Sequence, residues 1–390
     1  MKNKIMKLGS KRRRTTLKTP KDRTACYNII EQFLISLILV LLQKMHSSGS
    51  STASSMMRGS SRSFVCRTRH FSSAGGASYQ SPQKVGFIGL GNMGLPMCTN
   101  LAKGLGATEV LVHDKFPERI ALATGEGTSS LRGNVKAAAS IAQMAAECDV
   151  VFTMLFNTET TEEVYRGKQG LFQNARSSTM FIDSTTIAPP FAKALGQEGG
   201  KLGFHMLDAP VSGGVAGAAA GTLAFMCGAS SQEAFESAGK PFLEKMGKNI
   251  FYCGASGTGS IAKVCNNMAL SVQMISIAEA ISMGVKLGMD PTLLSNVMNK
   301  SSARCWAGDV GNPCPGVLPD APSSRDYERG FKMSLMLKDL KLAIENADKV
   351  NADVELAKHG LQYYKELAEN GFSEKDFGFV YQYVHKNKKM

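Results

Sequence analysis

The stretch KVGFIGLGNMGLPMCTNLAKGL, Lys84–Leu105, decides the fold. KVGFIGL reads as a buried strand, and NMGLPMCTNLAKGL as the helix that follows it. Between them Gly89, Gly91 and Gly94 keep the spacing G-x-G-x-x-G. The first glycine permits the tight turn, the second lets a pyrophosphate approach the backbone, and the third lets helix and strand pack closely. Amides at a helix N-terminus can then hold the anion, which makes Gly89, Leu90, Gly91, Asn92, Met93 and Gly94 a candidate phosphate cradle.

In a chain with 39 glycines the pattern alone is weak, and its context gives it weight. EVLVHD forms a second strand, so the order is β-α-β, and Asp114 stands at its end, 20 residues past Gly94. A carboxylate there can bind a ribose 2′-hydroxyl and repels a 2′-phosphate, so NAD is expected in preference to NADP. The plain alternative for Asp114 is a solvated loop acid, and Lys115 and Arg119 close behind it keep NADP open.

The alternation continues outward. NVKAAASIAQMAAE reads as a helix, DVVFTML as a strand, TTEEVYRG as a helix and TMFIDST as a strand. After these come PPFAKALGQEG, GFHMLDAP, a small-residue turn with a short helix, TLAFMCG, a helix through QEAFESAGKPFLEKM, and NIFYCG. Strands and helices taking turns predict an α/β domain with a Rossmann-type doubly wound sheet and added strands over residues 84–254. Past Gly254 the alternation stops. A helical pattern from Ser260 to about Leu287 suggests a spine, Asp290 and Pro291 look like the cap and first residue of the next helix, and Gly308 to Pro322 reads as a loop. Residues 255–390 are therefore expected to form an all-helical domain joined by the long spine helix.

Residues 1–83 read as a leader. They carry 15 Lys and Arg against two acids, while the remainder has 30 of each, so the whole formal charge of +13 lies in the leader. A formally neutral folded part loses the main electrostatic support for nucleic-acid binding. FLISLILVLL, within Met1 to Lys44, is well below the ~20 residues of a membrane-spanning helix, and no stable membrane partner is expected. Met45 to Gln83 holds Arg58, Arg62, Arg67 and Arg69 among many serines and no acid, the composition of a mitochondrial transit peptide; residues 1–44 read as an upstream extension. Nine cysteines scattered singly and six unclustered histidines imply neither a disulfide framework nor a metal, which fits a reducing interior such as the mitochondrial matrix.

Two further segments carry chemistry. LDAPVSGG places Asp208 at a strand end, followed by Ser212, Gly213 and Gly214, where glycine amides and a hydroxyl can cradle a carboxylate; an ordinary tight turn uses the same residues. SIAKVCNNMAL places Lys263 and Asn267 one turn apart on a helical face beside an apolar one. Taken alone, that lysine is a solvated charge.

GFIGLGNMGLPM, DAPVSGG, GTGSIAKVCNNM and LMLKDLKLA, in this order, resemble the β-hydroxyacid dehydrogenases, and the resemblance covers Lys84 to the C-terminus. It implies that Lys263 is the catalytic acid/base, that Asn267 helps hold the substrate, and that Ser212, Gly213 and Gly214 bind the substrate carboxylate. It also implies that Leu155 and Phe156 lie beside the adenosine, that Thr186 meets the cofactor near the nicotinamide, and that Lys338 closes over the cofactor from the helical domain. Phe156 stands where the family commonly has proline, and Leu337 and Lys341 differ from the residues usual there. SSARCWAGDVGNPCPGVLPDAPSS is similar to the substrate-side loop of a mitochondrial member, which makes Trp306 a substrate-side candidate. The family implies a small hydroxyacid substrate and a homodimer or homotetramer.

A lysine can serve as base only if its pKa falls from ~10.4 toward working pH, by desolvation or nearby positive charge. Asn267 can hold a hydroxyl or carboxylate without a competing charge. The rivals to an NAD-dependent oxidation are an NADPH-dependent reductase of glyoxylate, succinic semialdehyde or tartronate semialdehyde, and a dinucleotide-binding scaffold without activity.

Overall fold

A computed structural model describes residues 84–125 and 134–387, so the expectations for the leader fall outside the described residues. The first half is one nine-stranded sheet. Its strands are β1 (Lys84–Ile88), β2 (Glu109–His113), β3 (Val135–Ala137), β4 (Val150–Thr153), β5 (Met180–Asp183), β6 (His205–Asp208), β7 (Val211–Ser212), β8 (Leu223–Ala229) and β9 (Gly247–Gly254). The order β3-β2-β1-β4-β5-β6 is all parallel and is that of a Rossmann fold; β8 then runs antiparallel to β6 and β7 and parallel to β9. The strands are nearly continuous apolar runs because helices cover both faces. Val85, Phe87, Val110, Val150, Phe152 and Ile182 pack on one side, Ile88, Leu111, Val151 and Phe181 on the other.

One element departs from the expected order. The helix read over NVKAAASIAQMAAE is a strand followed by a shorter helix: Val135–Ala137 pairs with Val110–Val112, and Ser140 caps the helix Ile141–Glu147 by accepting from the Gln143 N–H. The alanines favour helix locally. The exposed edge of β2 and the Ser140 cap override them, because backbone groups beside an unpaired edge gain a ladder. The expected loop from Gly308 also begins inside a short helix, Trp306–Asp309.

The helical half is built on the spine helix, Thr258–Lys286, with its following helix capped by Asp290 as expected. The spine is the one described helix long and apolar enough to cross a membrane. Its Met274, Ile277, Ala278 and Ile281 pack instead against Met333, Met336, Leu340, Tyr364 and Tyr381 of the helices around it. The closing helix, Met333–Lys349, lies along the spine and brings its own polar residues to the sheet side.

Candidate active site

The cradle has the shape its glycines require. Gly89 adopts φ +93°, and a Cβ there would stand 2.3 Å from the Met154 carbonyl oxygen. A Cβ on Gly94 would stand 1.9 Å from the Gly89 oxygen, whereas one on Gly91 would meet no protein atom within 4 Å, leaving the space a pyrophosphate needs. Asn92 and Met93 form the turn into the helix Gly94–Leu105, with Met93 at its N-cap. Asp114 faces this loop: its Oδ2 accepts the Leu90 N–H at 2.6 Å and its Oδ1 the Phe116 N–H at 2.9 Å. A carboxylate has about four acceptor positions, so two remain for a ribose. The residues present therefore fit a dinucleotide.

Across the point where strand order reverses, two loops meet one lysine. Leu155 follows β4, and its N–H donates to the Thr185 hydroxyl beyond β5 at 2.9 Å. Lys338, from the closing helix, donates to the Phe156 carbonyl at 3.1 Å and the Thr186 carbonyl at 3.4 Å, with its amine 5.9 Å from the Phe156 ring centre. Phe156 itself is 63% exposed, and Leu155 beside it packs near Gly89 of the cradle. Leu155, Phe156, Thr186 and Lys338 are thus brought together around it.

Lys263 is not the solvated charge its spacing alone suggests. It is 8% exposed, one turn into the spine helix. Its Nζ donates to the Asn267 Oδ1 at 3.0 Å, the Asn266 amide donates to the same oxygen, and the Asn267 Nδ2 donates to the Asp339 Oδ2 at 2.7 Å. Both ends of the Asn267 amide are engaged inside the protein, with one amide hydrogen left over. The other oxygen of Asp339 lies 3.2 Å from the Lys338 amine, an ion-pair contact outside hydrogen-bond alignment. Burial pulls the Lys263 amine down to about 8, with Asp339 opposing and the Lys338 charge assisting.

Ser212 ends β7, and Gly213 and Gly214 follow at φ +126° and +61°, opening an exposed turn into the short helix Gly214–Ala220. The Ser212 hydroxyl takes no hydrogen bond within the described residues and is available to a ligand. Trp306 is half exposed, its ring lying over Gly311, and no hydrogen bond among the described residues joins it to the lysine cluster.

Periodicity and spacing assign no role to two further buried carboxylates, Asp208 being read only as a strand end and Asp183 not at all. Asp183 and Asp208 are register partners at the ends of β5 and β6, and both line a pocket of about 10 Å³, room for about one water. Asp183 Oδ1 accepts the Thr153 hydroxyl at 2.7 Å and the Thr185 hydroxyl at 2.6 Å; its Oδ2 has no partner among the described residues. Burial raises Asp183 to about 6, the threonine bonds opposing. Asp208 accepts the Gly257 N–H at 2.7 Å and the Ser260 N–H at 2.9 Å, at the start of the spine helix. The available signal was the helix's own beginning. Its N-cap is Gly257, which has no side chain to satisfy the first N–H groups, so a remote acceptor is required. Among the described residues no group of His, Cys, Asp and Glu is arranged to hold a metal.

The unfolded chain ionises Asp183 near 3.8 and the folded chain near 6, so the folded state holds the extra proton and stability falls as pH rises through that window. Asp183→Asn keeps an acceptor for both threonines without the charge. Its stability relative to the unaltered protein should rise from about pH 4 to about pH 7 by roughly 2 kcal/mol. Denaturant unfolding at the two pH values measures this, and a pH-independent difference contradicts it.

Comparison with known proteins agrees with the geometry. A family described as the NAD binding domain of 6-phosphogluconate dehydrogenase matches residues 84–254. One described as NAD-binding of NADP-dependent 3-hydroxyisobutyrate dehydrogenase matches residues 257–384. The chain is 44% identical over 312 residues to a probable mitochondrial 3-hydroxyisobutyrate dehydrogenase of Dictyostelium discoideum, covering 80% of this chain and 94% of that one. It is 42% identical over 302 residues to an NAD-dependent L-serine dehydrogenase of Pseudomonas aeruginosa, covering 76% and 96%. A solved 3-hydroxyisobutyrate dehydrogenase of Mycobacterium tuberculosis with L-serine superposes with a TM-score of 0.69 at 38% identity, covering 79% of this chain and 99% of that one. At these identities and over these lengths the chain belongs to the β-hydroxyacid dehydrogenases and is an NAD-binding oxidoreductase.

Proposed function

We propose that the protein oxidises the primary hydroxyl of 3-hydroxyisobutyrate to methylmalonate semialdehyde, a step of valine breakdown, with Lys263 as general acid/base. The observation that supports this reading most is the buried Lys263 amine, lowered to about 8 and held by Asn267 between the two domains. NAD, when bound, accepts the hydride. The site residues then have only the proton and the orientation to manage. The neutral Lys263 Nζ donates one hydrogen to Asn267 Oδ1, which leaves its lone pair free to take the hydroxyl proton. In the reverse direction the protonated amine returns it to the carbonyl oxygen.

The remaining roles are proposals of the same kind. Ser212, Gly213 and Gly214 hold the substrate carboxylate, and Trp306 borders its loop. Gly89 to Gly94 and Asp114 hold the pyrophosphate and ribose, while Leu155, Phe156, Thr186 and Lys338 enclose the rest of the cofactor. Asn267 acts through its amide hydrogens: one fixed by Asp339, one left for the substrate. A scaffold without activity has no use for an amine buried at this cost, and the Asp114 carboxylate weighs against an NADPH-dependent semialdehyde reductase. L-serine is a second candidate substrate, since a relative is named for it and it too is a 3-hydroxyacid.

We propose Gly254, where β9 ends, as the division between domains. Residues 1–83 are proposed as an extension plus a matrix transit peptide, in keeping with relatives named mitochondrial. The apolar side chains exposed at the far end of the spine and the next helix, Met283, Leu287, Leu293 and Val297, suit a homodimer or homotetramer.

Lys263→Ala should lower turnover by at least about 100-fold and leave the dissociation constant of NAD within about twofold. In the unaltered enzyme, oxidation at limiting hydroxyacid should rise with pH to a plateau through a limb at or just below about 8, because the base form is needed, and reduction should fall through the same limb. Near-normal turnover in the variant, or a flat oxidation profile from about pH 6 to about pH 9, contradicts the mechanism. A panel of 3-hydroxyisobutyrate and L-serine with NAD⁺, and glyoxylate with NADPH, should give the highest kcat/KM for 3-hydroxyisobutyrate; a preference for glyoxylate with NADPH contradicts the reading. After import into isolated mitochondria, the mature N-terminus should lie between Met45 and Lys84, and an unprocessed chain contradicts the transit peptide.

A further inference from the structure

Every helix start needs acceptors for its first N–H groups, and the spine helix takes them from another domain. Asp208 ends β6 in the sheet; its Oδ1 accepts the Gly257 N–H, its Oδ2 the Ser260 N–H, and the Gly259 N–H also points at the carboxylate. The seat leaves no slack. A Cβ on Gly228, the register partner of Asp208 across β8, would stand 2.4 Å from Oδ1, and a Cβ on Gly259 would stand 2.2 Å from the Met226 carbonyl. Lys263 follows Ser260 by less than one turn, so the point at which this carboxylate grips the helix sets both the height and the rotation of the Lys263 side chain.

We infer that Asp208 is a positioning residue for turnover: by clamping the first turn of the spine helix to the end of β6, it holds the Lys263 amine in its buried place against Asn267. This rests on the reading of Lys263 as the acid/base. Asp208 makes no contact with the amine and acts through the backbone. The groups that face the amine are Asn267 on its own helix and Asp339 and Lys338 on the closing helix. Releasing the clamp lets the helix start shift or fray and admits water to the amine. Desolvation is the largest influence holding the Lys263 pKa down, so the limb in oxidation moves toward higher pH, in the direction of 10.5. A displacement of about 1 Å at the reacting amine costs about 100-fold in rate.

The test is steady-state oxidation of the hydroxyacid across pH by the full chain saturated with NAD⁺. Asp208→Asn replaces one acceptor oxygen by a donor that opposes an N–H. It should lose about 100-fold in kcat and shift the limb upward while the dissociation constant of NAD changes little. Gly228→Ala keeps the carboxylate and displaces it, and should show the same paired change. Asp376→Asn, at a buried carboxylate of the helical half that accepts the Phe331 and Gly378 N–H groups, controls for loss of a buried charge, and its limb should stay at the unaltered pH.

A merely structural role lowers the folded fraction without moving the limb. Normal kcat with an unmoved limb in Asp208→Asn overturns the inference. If that variant does not fold, the same result in Gly228→Ala overturns it. Lys263→Ala assayed alongside separates the two readings: its activity surviving defeats the acid/base role, whereas its loss with a normal Asp208→Asn enzyme defeats the clamp alone.

Discussion

An ammonium removed from water loses several kcal/mol of solvation, and the protein must either pair it or neutralise it. At Lys263 the structure does neither fully. The one carboxylate nearby, Asp339, reaches the amine only through Asn267 and is itself drawn toward Lys338. Burial therefore prevails, and the amine is brought to about 8, where it can hold or release a proton near neutral pH. Much of the two-domain arrangement serves this imbalance. The sheet supplies the end of β6 that grips the spine helix, and the closing helix supplies both the opposing carboxylate and the assisting cation.

The same economy appears on the cofactor side. One lysine from the helical half bonds to carbonyls of two separate loops, after β4 and after β5. Those loops are also joined to each other through Leu155, Thr185 and Asp183. The cradle is thus a floor formed by β1 and its glycines, with walls tied together by buried side chains. Lys338 itself rests on this surface, bonded to both walls.

The cradle, the alternation and the spine were legible in the sequence because each rests on local pattern: glycine spacing, apolar runs and helical periodicity. Lys263 and Asn267 were legible as neighbours because positions i and i+4 meet on any helix. Their burial was not, since it depends on Asp339, 72 residues away in the chain. The register that sets Asp183 beside Asp208 is likewise a property of strand pairing, invisible to a reading along one strand. The alanine-rich segment after Asn134 misled because edge pairing with β2 outweighed a modest local preference for helix.

Folding alone, before any ligand arrives, prepares the Lys263 amine as a base. Titrating the ligand-free protein with ¹³C,¹⁵N-labelled lysine tests it most directly, with the Lys263 Nζ and Cε signals assigned by their loss in Lys263→Arg. A midpoint at about 8 is expected for this one lysine. A midpoint at the ordinary lysine value of 10.5 would contradict it.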